Sequence, residues 1–214
     1  MHTSIRSLSS FSVSKSFRAS ALALLLVINP VQPYDAFASS PKATSILAKL
    51  VVKGRAAKTG YDRKLFSDGW GQIDNCDTRN YILARDLINI TWRSSPACTV
   101  ATGVLNDPYT GQVIHFVRGV GTSNAVQIDH VVAVSDAWQK GAQQLTSYSR
   151  YNFYNDPLNL LAVDGPTNGA KSDSDAASWL PPRKAFRCSY VARQIAVKYK
   201  YRLWVTSAEK TTMA

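Results

Sequence analysis

Two short apolar runs, each next to a cluster of polar residues, constrain the fold of this chain more than any other feature. The first run, Ala125–Ile128, leads directly into Asp129 and His130. The second, Leu158–Val163, is followed by Pro166, a residue suited to the first turn of a helix. This order predicts two β-strands and then a short helix, with polar side chains gathered at the junctions.

The remaining patterns predict an α+β fold with a small antiparallel sheet and flanking helices. A turn sequence between two strand-like runs predicts a β-hairpin from Thr99–Leu105 to Gln112–Gly119. Apolar residues at helical spacing predict helices elsewhere, one of them capped by Asp77. These predicted helices cover residues 44–57, Asp77 to about Trp92, 135–154 and about 186–203.

The N-terminus has the pattern of a secretory signal peptide covering residues 1–38. Basic residues precede an apolar run at Ala21–Ile28, and Ala36-Phe37-Ala38 supplies a small-x-small cleavage site. The run is far shorter than the ~20 residues that span a bilayer. We therefore expect a secreted protein, extracellular or bound to the cell wall, with no stable membrane insertion after cleavage.

The charge of the chain points to a polyanionic partner. The sequence has 25 Lys and Arg against 14 Asp and Glu, a net charge of +11, and removal of residues 1–38 leaves +9. Nucleic acid, an anionic cell wall and a membrane surface all suit this charge. A basic composition without any such partner is the alternative, because many exported proteins are basic.

Three cysteines would enter an oxidising compartment after export. Cys76 and Cys98 flank one predicted helix, and we expect a disulfide between them. Cys188 is the odd thiol, either buried or paired between molecules. A zinc site is disfavoured, because the chain lacks a CxxC pair and has only three histidines.

His130 is the residue best suited to acid–base chemistry. His2 falls in the predicted signal peptide and His115 inside a predicted strand, whereas His130 has Asp129 beside it. A neutral imidazole accepts a proton from water near neutral pH. Neighbours on an extended strand face opposite sides, so Asp129 can bind a cation while His130 faces a water molecule.

The second half of the motif supplies further polar candidates. Asn168 is expected to bind Mg²⁺ through its amide oxygen, together with the carboxylate of Asp129. Mg²⁺ often takes only one or two protein ligands. Lys171 shares a helix face with Asn168 and is expected to neutralise a phosphate oxygen. Asn159 is expected to orient the imidazole, and Asp173 to support the site from outside. Each residue also has a purely structural alternative. Asp129 could cap the following helix, His130 could be a hydrogen-bonded histidine at a strand end, and Asn159 could anchor a turn. Asn168 and Lys171 could lie on a solvated helix face.

These residues resemble a known nuclease core. Ile128-Asp129-His130 followed by residues 155–173, NDPLNLLAVDGPTNGAKSD, is similar to the ββα-metal core of HNH endonucleases. More narrowly, it resembles exported proteins of the DUF1524 type, whose core also occurs in GmrSD-type restriction nucleases. The similarity extends over most of residues 60–205.

The resemblance implies a role for each residue. His130 would be the general base, Asp129 a metal ligand and Asn159 the middle Asn of the motif. Asn168 stands where a second His is common, so the site lacks one imidazole ligand. The expected ion is therefore Mg²⁺, with Mn²⁺ as a substitute and Zn²⁺ less suited. The resemblance also implies one nuclease domain over residues 39–214 with its core at about 99–180, and we expect a monomer.

Basic residues outside the motif are candidates for substrate phosphates, with a solvated basic surface as the alternative. They are Arg63, Arg79, Arg183 and Arg187. Three functions then compete. The first is a secreted, divalent-metal-dependent endonuclease that cuts DNA, with RNA as a second substrate, at low sequence specificity. The others are an exported DNA-binding or uptake protein without catalysis, and a cell-wall hydrolase.

Overall fold

The computed structural model describes residues 42–94 and 98–214, so the predicted signal peptide at 1–38 lies outside the described residues. The described helices are α1 (Ala43–Lys49), α2 (Thr78–Asp86), α3 (Val134–Gln139), α4 (Ser147–Asn155), α5 (Gly165–Lys171), α6 (Arg187–Lys200) and α7 (Ser207–Met213). The described strands are β1 (Gln72–Ile73), β2 (Cys76–Asp77), β3 (Ile88–Trp92), β4 (Val100–Asn106), β5 (Val113–Val117), β6 (Val126–His130) and β7 (Leu160–Asp164). This mixture confirms the predicted α+β class.

The described strands form three small antiparallel sheets, one of which carries the polar motif. β1 pairs with β2, and β3, β4 and β5 form a three-stranded sheet that contains the predicted hairpin. β6 pairs with β7 so that Asp129 lies opposite Leu161 and His130 opposite Leu160. α5 follows β7 without a break, and Asp164 caps it by accepting a hydrogen bond from the Thr167 amide.

Both faces of β7 are buried, which explains its continuous apolar sequence. On one face Leu160 and Ala162 pack with Phe116 and neighbouring residues of the three-stranded sheet. On the other, Leu161 and Val163 belong to a cluster with aromatic side chains that include Tyr190 of α6. The strand that backs the motif is therefore held by tertiary packing on both sides.

The helix predicted from Asp77 to about Trp92 is shorter than expected. Asp77 caps α2 as predicted, by accepting a hydrogen bond from the Asn80 amide at 2.7 Å. The helix ends at Asp86, and residues 88–92 form β3 instead, paired with β4. A short apolar segment can be consistent with both the helical and the strand periodicity. Ile, Thr and Trp favour strands, and pairing with β4 selects the strand here.

The helix predicted over residues 44–57 is also shorter, because α1 ends at Lys49. Beyond it the chain is extended, and Val52 forms a parallel bridge with Val205. The helical character predicted for residues 135–154 is confirmed by α3 and α4, and α6 matches the predicted final amphipathic helix. The sequence patterns did not anticipate α7.

A buried ion network joins α3, α6, α7 and the segment after α5. Lys140 bonds the carboxylates of Asp136, Asp175 and Glu209 at 2.7 to 2.8 Å. Lys198 of α6 contacts Glu209 at 2.9 Å, and both side chains are fully buried. Burial acts to raise the pKa of Asp175, but the hydrogen bonds and charge of Lys140, with further hydrogen bonds from Arg55 and Ser178, outweigh it and lower this pKa.

The predicted disulfide between Cys76 and Cys98 is present and links β2 to the residues before β4. Cys188 is an exposed free thiol on α6, so the first of its two expected alternatives, burial, is wrong. Within residues 42–94 and 98–214, none of the helices has the length and apolar character needed to cross a membrane.

Candidate active site

His130, at the end of β6, is buried but lines an open cleft of about 320 Å³. Its Nε2 lies 2.8 Å from the backbone oxygen of Tyr154, which can only accept a hydrogen bond. Nε2 must therefore carry the proton, and Nδ1 carries the lone pair. Nδ1 lies 3.5 Å from the guanidinium of Arg63. The α4 backbone thus fixes the tautomer in which Nδ1 is the basic nitrogen.

Aromatic rings hold the imidazole in place. The Trp70 ring stacks on it with planes only 6° apart and centroids 5.7 Å apart. The Tyr154 ring lies 4.4 Å away on centroids. Burial among these rings, followed by the nearby charge of Arg63, lowers the pKa of His130 from 6.5 to about 3. The imidazole is consequently neutral at physiological pH.

The Asp129 side chain has different partners from that of His130, in agreement with the alternation of side chains along a strand. Its Oδ2 accepts a hydrogen bond from the Tyr109 hydroxyl at 2.5 Å, and its Oδ1 contacts the ammonium of Lys171 at 2.9 Å. Burial and the charge of Asp129 raise the pKa of Tyr109, so the phenol remains a donor. Asp129 as a whole is 4% exposed, and it lines the same cleft.

Lys171 lies inside the protein rather than at the cleft surface. Its side chain is fully buried, and its Nζ bonds Asp129 and the backbone oxygen of His130 at 3.0 Å. The prediction that Lys171 contacts a substrate phosphate is therefore corrected. In this arrangement its ammonium compensates the charge of Asp129.

Asn159 stabilises the bend after β6 and does not bond the imidazole with its side chain. Its Oδ1 accepts a hydrogen bond from the Val132 amide at 2.8 Å, and its Nδ2 donates to the Val132 oxygen at 3.3 Å. Its own backbone oxygen accepts from the amide of Val131. Asn159 therefore acts on His130 indirectly, by fixing the residues that follow it.

The cleft contains oxygen donors of the kind that hard cations prefer. Asn168 of α5 donates a hydrogen bond to Gln127 at 2.9 Å, which fixes its amide and leaves Oδ1 as its acceptor atom. Asn168 and Asp129 line the same cleft. Residues 42–94 and 98–214 hold no group of three or more His, Cys, Asp or Glu that could bind a metal. The donors fit a sparse Mg²⁺ site that would take its remaining ligands from water and substrate.

Of the four arginines expected to contact substrate, Arg63 is the one that lines the cleft. It reaches over the Tyr154 ring and donates to the Tyr154 hydroxyl at 3.3 Å. The other three lie elsewhere: Arg79 bonds the backbone at the start of β6, Arg183 packs on Gly111, and Arg187 bonds Pro181. Sequence alone could not separate them, because all four are basic residues next to turns or helix ends.

The cleft rim also contains the exposed carboxylate of Asp173. Ser135 and Lys58 bond it at 3.1 Å and 3.3 Å. These bonds outweigh burial, which acts in the opposite direction, and lower its pKa. Asp173 therefore anchors Lys58 beside the cleft.

Comparison with known proteins assigns the chain to a family. The family model of the C-terminal domain of GmrSD restriction endonucleases matches residues 77–214, which include the entire motif. The chain belongs to this family. It is also similar to an uncharacterized secreted protein of Arthroderma benhamiae, with 35% identity over 196 residues that cover 91% of this chain and 92% of that protein. No solved structure matches the chain.

The GmrSD-type motif does not include several aromatic residues that hold its His and Asp in place. Trp70, Tyr109 and Tyr154 contact His130 or Asp129 from distant parts of the chain. Trp70 lies within residues 60–77, which are rich in Gly, Asp and aromatic residues without any periodicity. Tyr109 lies in the turn of the predicted hairpin, so neither position carried a sign of chemistry. The contacts arise only when the sheet and α4 pack together.

Proposed function

We propose that this protein is a secreted endonuclease that hydrolyses phosphodiester bonds of DNA, and secondarily RNA, with a divalent metal ion and low sequence specificity. The observation that carries the proposal is the orientation of His130. Because Nε2–H donates to the Tyr154 backbone, the Nδ1 lone pair is available at the cleft to accept a proton from water. Membership of a restriction-endonuclease family supports the substrate class.

Arg63 is proposed to bind the phosphate next to that water. Its guanidinium lies 3.5 Å from Nδ1, so a phosphate oxygen held by Arg63 would bring the phosphorus close to the attacking water. The negative charge of the phosphate would offset the influence of Arg63 on the imidazole. Substrate binding is therefore expected to raise the pKa of His130 and make it a better base.

Asp129 and Asn168 are the residues proposed to hold Mg²⁺, with Mn²⁺ as a substitute. When bound there, the ion would neutralise charge on the phosphate and assist the leaving oxygen. Zn²⁺ is less suited, because His130 is the only imidazole among the described residues of the cleft and is already committed to the role of base. The family assignment and the oxygen donors support this choice.

The order β6, β7, α5 supports the proposal that these elements are a ββα-metal core. The antiparallel strands present Asp129 and His130, and the helix presents Asn168. We propose that this core belongs to a single domain over residues 39–214 that acts as a monomer. Export through a signal peptide at 1–38 is supported by the secreted relative.

A plasmid assay tests the proposal. The mature protein is incubated with supercoiled plasmid and Mg²⁺, in parallel with EDTA. His130→Ala is expected to lower the nicking rate by about 10²- to 10⁴-fold, because it removes the general base. His115→Ala is the matched control, since His115 lies exposed on β5, and should nick at the parental rate.

Two outcomes would contradict the mechanism. Nicking that persists in EDTA would show that the reaction needs no divalent metal. Full activity in His130→Ala would show that His130 is not the general base. If the folded protein binds plasmid but never nicks it with Mg²⁺ or Mn²⁺, the non-catalytic DNA-binding alternative replaces the nuclease.

A further inference from the structure

The carboxylate proposed to bind a metal already has a cation beside it. Lys171 is fully buried, and its Nζ contacts Asp129 Oδ1 at 2.9 Å and the His130 backbone oxygen at 3.0 Å. The second carboxylate oxygen accepts the Tyr109 hydroxyl. Both oxygens of Asp129 are thus engaged before any ion arrives, each with a lone pair to spare.

The charges around the cleft are unfavourable for a dication on its own. Lys171 neutralises Asp129, and Lys58 pairs with Asp173. Arg63 adds a positive charge near His130, so the cleft as a whole is cationic. A dication that approaches without an anion meets one compensated carboxylate, one amide oxygen and repulsion from Arg63.

We propose that Lys171 is a positioning residue that makes cation binding depend on a bound phosphodiester. This inference rests on the nuclease function proposed above and identifies what controls its metal site. A phosphodiester in the cleft adds a negative charge that no ammonium neutralises, and it adds oxygen ligands to those of Asp129 and Asn168. The ion and the substrate then bind together, and each raises the affinity of the other by the same factor.

Lys171 also keeps Asp129 correctly placed while the ion is absent. A buried carboxylate without a partner is costly, and the ammonium satisfies it and ties it to the backbone of His130. The contact between Lys171 and Asp129 therefore orients the carboxylate and also weakens its attraction for a free ion.

Binding of Mn²⁺, followed by electron paramagnetic resonance of the free ion, tests the proposal without measuring catalysis. The His130→Ala protein keeps an oligonucleotide duplex intact and serves as the parent. Without duplex its Mn²⁺ affinity should be weak, and with duplex it should rise by about ten-fold or more. Asp129→Asn on the same background is the control for Mn²⁺ that binds to the duplex itself.

Neutral substitutions of Lys171 give the second measurement. Lys171→Met and Lys171→Gln should each bind Mn²⁺ about ten-fold or more tightly without duplex, because a positive charge beside Asp129 is lost. Lys171→Arg should stay weak. The double variant Asp129→Asn, Lys171→Met removes both charges, should fold, and should show no tightening.

The proposal is overturned if the folded neutral variants bind Mn²⁺ no more tightly than the parent. It is equally overturned if the parent has the same affinity with and without duplex, a comparison that requires no change at Lys171. Failure of the nuclease proposal looks different: the plasmid stays intact while these affinities remain measurable. Conversely, tight Mn²⁺ binding without duplex would refute the role of Lys171 and leave metal-dependent nicking untouched.

Discussion

At the scale of single residues, the protonation of His130 makes the stability of the fold depend on pH. Its pKa in the folded protein is about 3, because burial and Arg63 disfavour the imidazolium, whereas an unfolded chain takes up this proton near 6.5. Between these values the unfolded state binds the extra proton. The contribution of His130 to stability is thus complete above pH 6.5 and is lost as the pH falls towards 3.

We predict a pH-dependent difference between the parent and His130→Gln. The free energy of unfolding of the parent should fall relative to that of the variant, by up to about 1.4 kcal/mol per pH unit below pH 6.5. Urea unfolding of both proteins at pH 7 and pH 5 measures it. Carboxylates titrate in both proteins and cancel in the comparison. Parallel pH profiles would show that His130 is already protonated in the fold or is not buried.

The residue types that do chemistry could be identified from the sequence, but their partners could not. Asp129, His130 and Asn168 do border one cleft, as the motif indicated. Lys171 was misplaced, because helical spacing gives a shared face but not which neighbour a long side chain reaches. Tyr109 and Trp70 were not predicted to contact Asp129 and His130, since these contacts depend on packing between distant segments.

At the scale of elements, α5 is tightly fitted at its first residue and loosely fitted at its fifth. A Cβ at Gly165 would overlap the backbone oxygen of Asn124, whereas a Cβ at Gly169 would meet nothing within 4 Å. Backbone on both sides cannot yield easily, so a side chain at Gly165 would push the start of α5 outward. The helix carries Asn168, and its position sets the cleft.

Gly165→Ala is therefore predicted to lower stability by about 1 to 3 kcal/mol and to reduce plasmid nicking about ten-fold or more. Gly169→Ala is the matched control, because it adds the same methyl group to the same helix. It should keep full nicking and be neutral or more stable by up to about 1 kcal/mol, because alanine favours helix. Equal loss in both variants would show that α5 tolerates no change, rather than that its N-terminus is tightly packed.

The elements that the sequence patterns identified well were those with strong local signals. Asp77 was predicted to cap a helix and Pro166 to lie in the first turn of another, and the structure confirms both. The error at β3 has a tertiary cause, because residues 88–92 have a periodicity that suits either state until β4 is present as a partner. Local sequence patterns therefore predict where helices begin, whereas strand pairing determines whether an ambiguous segment forms a helix or a strand.

At the scale of the whole molecule, Glu209 connects α7 to the rest of the fold. It is the only glutamate in the chain and is fully buried between Lys140 and Lys198. Glu209→Gln keeps the shape and the cap with Thr206 but leaves two buried ammonium groups with less negative charge. We predict a loss of about 3 to 5 kcal/mol in the free energy of unfolding, measured with urea at pH 7.

Asp68→Asn is the matched control, because the Asp68 side chain is 84% exposed and pairs only with Lys64 among its described neighbours. Its effect should stay within about 0.5 kcal/mol. If Glu209→Gln is as mild as this control, the network contributes little to stability and α7 is held by its apolar contacts.

The burial of charged side chains has a further consequence for the outside of the protein. Six carboxylates but only three lysines are buried in the described chain, so the interior removes more negative than positive charge from the surface. The exterior is consequently more basic than the net charge of the composition implies. Long-range attraction should therefore deliver polyanions to this surface quickly in dilute buffer and much more slowly as added salt shortens the reach of the field.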